Sequence, residues 1–163
     1  GDARRRGVGA AVDGDEGDVT LRVFTARLSY VGADRLDITR KSATDEGIAF
    51  APSWGILTAA LDARRKADEC MKGAQRDGAV GALHRATAWE IESAAWTEYE
   101  PRYVDEMRRS YEAHRDRWRA VLAGERGTLV CFCNLARWPG HCHRVILAGL
   151  LVKCGAEYVG ERM

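Results

Sequence analysis

Apolar residues alternate with polar ones at Val19, Leu21 and Val23. A period of two in a β-rich stretch predicts a strand within residues 19–28. A second, short strand is expected at residues 36–39 (LDIT), between Gly32 and a polar loop. The period then lengthens. Ile56, Leu57, Ala60 and Leu61 recur at helical spacing behind Pro52 and Ser53, so a helix capped by Ser53 should run to about Lys72 and stop at Gly73. Residues 77–99 also read as helical, with Trp89 and Trp96 seven apart on one face. Pro101 suits the first turn of a further helix. From there Val104, Met107, Tyr111, His114, Trp118, Val121 and Leu122 repeat at three and four up to Gly124, an amphipathic stripe.

Residues 128–133 (TLVCFC) are almost wholly apolar, as in the buried middle of a parallel sheet. A helix over residues 141–154, closed by Gly155, and a last strand at 157–159 complete the pattern. Strands at both ends with helices between them predict an α/β fold: a Rossmann-like three-layer sandwich with a mostly parallel sheet and a helical insertion. Residues 1–18 mix Gly with Arg and Asp without an apolar period and read as a flexible N-terminal tail. Residues 19–163 then form a single α/β domain.

The 163 residues, 30% charged and 46% hydrophobic, have the balance of an ordinary soluble protein. The longest apolar run, residues 145–152, is broken only by Gly149 and is too short to span a bilayer, so no membrane partner is expected. The charged, Gly-rich N-terminus shows no secretory pattern, which predicts a cytoplasmic location and reduced thiols. A net charge of +1 argues against nucleic-acid binding through total charge and leaves room for a local basic patch.

Candidate chemistry concentrates in residues 128–161, where three of the five cysteines fall within the fourteen residues 131–144. Cys142, His143 and Arg144 fall at a predicted helix start, where backbone N–H groups and the helix dipole favour an anion. Arg144 would add a bidentate fork, and the same field would favour the Cys142 thiolate. Cys131, Cys133 and Cys142, with His141 and His143, are also a zinc-type donor set, although C-x-C on a strand is an unusual half-site. Plain burial of the cysteines is the third reading. The match of residues 131–137 to C-x₅-R carries no weight, because the loop lacks a glycine to wrap a phosphate. Asp37, Thr39, Arg40 and Lys41 leave the second strand as a polar cluster that could meet a phosphate and a ribose hydroxyl. Phe50 and Trp54 could stack on a base or fix the start of the following helix. Arg108, Arg115 and Arg119 share a stripe but have acidic residues at pairing distance, so a solvated face is expected there. His84 and His114 are isolated and expected to be structural.

Taken in order, LDITRKSA, FAPSW, MRRSY, TLVCFC, CHR, LAGLL and GAEYVGE resemble domain-of-unknown-function family 488, in its phage- and prophage-associated branch. The resemblance covers residues 19–161, apart from 73–100, which match poorly and would be a helical elaboration. It implies a Rossmann-like fold whose cleft is lined by Asp37 with Arg40 and by Cys142, His143 and Arg144, with the family's strand cysteine at Cys131. The resulting expectation is a nucleotide- or nucleic-acid-directed protein with enzymatic potential. Cys142 or His143 would act as nucleophile or acid–base group, Glu161 would be a further carboxylate, and Asp37, Thr39, Arg40, Lys41, Phe50, Trp54 and Arg144 would hold the ligand. The alternatives are a non-catalytic nucleotide sensor and an interaction module stabilised by zinc on Cys131, Cys133 and Cys142.

Overall fold

The computed structural model describes residues 19–163 except 77, 79 and 80; the predicted tail at 1–18 lies outside the described residues. The alternating stretch forms β1 (Arg22–Arg27), and LDIT contributes β2 (Arg35–Asp37). A single 3-10 turn (Ile48–Phe50) leads to α1 (Trp54–Arg76) and then α2 (Gly81–Ala113). After these come α3 (Arg115–Leu122), β3 (Arg126–Cys131), α4 (His143–Lys153) and β4 (Glu157–Arg162). The strands pair in the order β2-β3-β1-β4, all parallel. This is the expected α/β class.

The pleat explains the layering. Val23 and Leu129 point to one face of the sheet, where Leu147, Ala148 and Leu151 of α4, Tyr103 and Met107 of α2 and Trp118 of α3 join them in one buried cluster. Each large aliphatic side chain buried there contributes about 1.5–3 kcal/mol. On the other face the Arg162 guanidinium lies 3.5 Å from the Phe24 ring centroid, and Thr128 Oγ1 donates to Asp34 at 2.8 Å. A second, smaller cluster of Ala67, Ala88 and Trp138 fastens the α1/α2 pair to the loop after β3.

Three boundaries differ from expectation. α1 passes through Gly73 to Arg76, because packing along α2 outweighs the roughly 1 kcal/mol propensity cost of an interior glycine. Pro101 lies inside α2 rather than opening a helix. Tyr99 and Tyr103, buried on either side of it, hold the helix together, while Pro101 itself lies on the exposed face. The expected 101–122 helix instead breaks at His114 (φ −128°, ψ 42°). The break turns Trp118 into the core, where Nε1 donates to Ser110 Oγ at 3.1 Å and the ring meets Phe50 edge-on at 4.9 Å. The arginine stripe is solvated as expected, with Arg108 pairing to Asp105 at 3.2 Å.

Candidate metal centre

β3 ends at Cys131, on the same face as Leu129, and Cys133 follows two residues later. The chain then needs a tight return to α4. The Asn134 carbonyl accepts from Arg137 and Trp138 N–H groups, and Gly140 takes φ +77°, which glycine adopts without strain. Trp138 is buried and its Nε1 donates to Asp68 of α1 at 3.2 Å; Arg137 pairs with the same carboxylate at 3.1 Å. Anchored in this way, the loop delivers Cys142 in an extended conformation as the N-cap residue of α4. The three sulfurs of Cys131, Cys133 and Cys142 all lie within 4.8 Å of one another, with Cys131 and Cys133 at 3.6 Å.

Hydrogen bonds from Cys133 and then Cys142 hold the Cys131 thiol well below the usual range. Cys133 is pushed up by donating to Cys131, and Cys142 is pushed well up by burial and then by Cys131. Cys131 is therefore the most acidic of the three thiols. This corrects the expectation of a Cys142 thiolate: the helix terminus is there, but Cys142 is only 2% exposed, and desolvation outweighs the dipole.

His143 is buried, and its Nε2 hydrogen-bonds to the Ile38 carbonyl at 3.0 Å. Burial lowers its pKa. A neutral ring donating through Nε2 turns the Nδ1 lone pair toward Cys131 Sγ, 3.9 Å away. Arg144 is wholly buried. Its Nη1 donates to the Cys131 and Cys133 carbonyls at 3.3 and 3.1 Å and approaches Cys142 Sγ at 3.7 Å, while Nη2 pairs with Glu161 at 2.7 Å. The guanidinium expected as an anion fork is thus an internal strut behind the cysteines, and Glu161 is its partner at the end of β4.

The other predicted ligand residues lie apart from the thiols. Asp37 Oδ1 accepts from the Thr39 N–H and Oγ1, and Oδ2 accepts from Ser42 Oγ. Arg40 donates to the Pro52 and Ala51 carbonyls at 2.7 and 3.0 Å. Together they shape the turn after β2. Phe50 is a core residue against Trp118 rather than an open stacking surface. Trp54 and Lys41 are exposed.

What the sequence did not reveal is the wall opposite the cysteines. A small, partly open cleft with about 40 Å³ of room inside is lined by Cys133, Cys142 and His143 on one side and Arg64, Glu92, Trp96, Tyr99 and His141 on the other. Glu92 is only 3% exposed. Its carboxylate forms an ion pair with Arg64 and accepts a hydrogen bond from His141 Nδ1 at 3.2 Å. The His141 ring stacks on Trp96 at 4.8 Å. The signal was a carboxylate at position 92 on the stripe of Ala88, Trp96, Tyr99 and Tyr103.

A parallel-stranded α/β fold with clustered thiols at the carboxyl end of a strand defines the class. Within it, residues 81–155 match the family model DUF488-N3a, described as the active DUF488-N3 subclade, which bears out the resemblance to family 488. The matched segment carries all three clustered cysteines, and it includes 81–100, part of the stretch expected to be an elaboration outside the family. No curated protein and no solved structure matches the chain.

The donor chemistry fits a metal ion. The Cys131–Cys133 separation of 3.6 Å is near the roughly 3.8 Å expected between thiolates on one tetrahedral ion with metal–sulfur bonds of about 2.3 Å, and Cys142 lies within 4.8 Å of both. Among the described residues no helix is long and apolar enough to cross a membrane.

Proposed function

We propose that this chain holds a zinc-type ion on Cys131, Cys133 and Cys142, with the ion's remaining position turned to the cleft. The observation that carries the reading is the mutual approach of three sulfurs within 4.8 Å. Thiols in such a cluster bind an ion as thiolates and release their protons as they do so. Arg144 and Arg64 would offset the thiolate charge from two sides. Three protein ligands and one open position are the arrangement that lets zinc polarise a bound oxygen. The nucleotide- or nucleic-acid-directed reading is less favoured, because Arg144, Arg40 and Phe50 are engaged within the protein and leave no free phosphate fork or base platform among them.

The test is metal content by plasma mass spectrometry on the folded, untagged chain, with a parallel thiol titration. About one zinc per chain, with these three thiols protected until a chelator is added, is the expected result. A metal-free protein that does not take up added zinc, with Cys131 reacting fast, would replace this reading with a free-thiolate site.

A further inference from the structure

Two polar side-chain atoms among the described residues are buried without a hydrogen-bond partner: Arg144 Nε and the Tyr99 hydroxyl. Tyr99 is 95% buried, at 5% exposure, and lines the same cleft as Cys133, Cys142 and His143. An orphaned hydroxyl is costly, so its persistence needs a partner that the protein does not supply. The ring has little freedom to find one by moving: it stacks on Trp96 at 5.5 Å and on Tyr103 at 6.0 Å. The rest of the wall is chemically divided. Leu57, Ala60, Leu61 and Phe132 supply apolar surface, and Arg64 supplies positive charge beside the thiols.

We infer that the cleft is a ligand site for a small, partly apolar molecule that presents an oxygen to the metal, and that the Tyr99 hydroxyl donates to that oxygen group. The ligand class is a short acid or its amide-like equivalent, such as a carboxylate or hydroxamate with an aliphatic tail. The oxygen head completes the shell of the ion and takes the Tyr99 hydrogen bond. The tail lies against Leu57, Ala60, Leu61 and Phe132. His143 Nδ1 is the competing occupant of the fourth position, because it is 3.9 Å from Cys131 Sγ. It falls outside the set of donors that all lie within 4.8 Å of one another, which favours the exogenous ligand.

This inference rests on the metal reading, and cobalt substitution separates the two. Cobalt(II) loaded into the chelator-treated full chain reports its own ligands through its visible bands. Acetohydroxamate is then titrated into wild type and Tyr99→Phe. The expected result is a saturable band change in wild type and roughly tenfold weaker binding in the variant, the effect of losing one hydrogen bond to a buried ligand. Removing an orphaned hydroxyl should also raise the melting temperature of the metal-free, ligand-free protein by about 2–4 °C, so folding failure is not the expected outcome. Cobalt uptake with no response to the probe overturns the ligand site and gives the fourth position to His143. Equal affinity in wild type and Tyr99→Phe overturns the role of Tyr99. Absence of cobalt uptake overturns the metal centre itself, and the ligand site with it.

Discussion

Replacing Arg144 with alanine distinguishes an internal strut from a ligand-binding fork. The guanidinium is wholly buried and donates to two carbonyls, those of Cys131 and Cys133, besides pairing with Glu161. Each carbonyl stripped of its donor costs about 1–3 kcal/mol. The Glu161 pair adds little, because that carboxylate is 36% exposed and screened by water. The total is roughly 3–5 kcal/mol, the range for removing one partner of a buried charged network. With a urea dependence of about 2 kcal/mol per molar, the unfolding midpoint should fall by roughly 1.5–2.5 M. The assay is equilibrium urea unfolding followed by far-UV circular dichroism, on wild type, Arg144→Ala and Arg144→Lys. Lysine keeps the charge but cannot span two carbonyls and Glu161 together, so it should fall between the other two. A surface anion-binding arginine would change stability by no more than about 0.5 kcal/mol. A midpoint shift under about 0.3 M for Arg144→Ala would therefore refute the strut.

Asp37 predicts an acid-side loss of stability. Burial raises the pKa of its carboxyl, but hydrogen bonds from Thr39 and Ser42 and the Arg35 charge outweigh that and hold it below its ordinary 3.8. The unfolded chain then binds the proton first, so the contribution is complete above about pH 4 and is lost as pH falls through the folded pKa. Asp37→Asn should cost about 1–2 kcal/mol at pH 7, and the gap to wild type should narrow below pH 4 in paired urea titrations. Gly47→Ala should destabilise by at least about 2 kcal/mol, because its new Cβ would lie 1.7 Å from the Asp37 carbonyl oxygen; a melting temperature equal to wild type would contradict the turn geometry. Pro101→Ala should stabilise by about 1–2 kcal/mol, as a restored N–H in mid-helix outweighs the lost rigidity of the unfolded chain, visible as a higher thermal midpoint.

The strands and the cysteine loop were legible because local pattern and tertiary demand agree there. A period of two at Val19–Val23 and an apolar run ending in C-x-C are what a parallel sheet needs at those positions. The helical boundaries were less legible. Pro101 and Gly73 are local stop signals, yet both sit inside helices whose packing against neighbours holds them. The break at His114 has the reverse character: nothing local demands it, and it arises because Trp118 reaches Ser110 and Phe50 only if the chain turns. Those causes are long-range, so no window of sequence contains them.

At the site, the cysteine cluster is legible in the sequence, but its surroundings are not. The sequence of Cys142, His143 and Arg144 reads as a solvent-facing anion seat because a helix start normally offers free N–H groups to water. That inference depends on exposure, and the loop tied down by Trp138 removes it. Once these groups are buried, the same physics runs the other way. Desolvation drives Cys142 toward the thiol, the two terminal nitrogens of Arg144 turn to carbonyls and Glu161, and Cys131, to which Cys133 and Cys142 can donate, becomes the most acidic thiol. Three sulfurs within 4.8 Å of one another, beside a His143 ring that burial keeps toward the neutral form, are a donor set that could hold a cation. The opposite wall, with Glu92 held by Arg64 and His141, comes from helices whose contribution depends on spatial convergence across 28 and 49 residues of chain. An acidic side chain on an otherwise apolar helical stripe is the trace such a wall leaves in sequence, and at Glu92 that trace marks the side of the cleft opposite the cysteines.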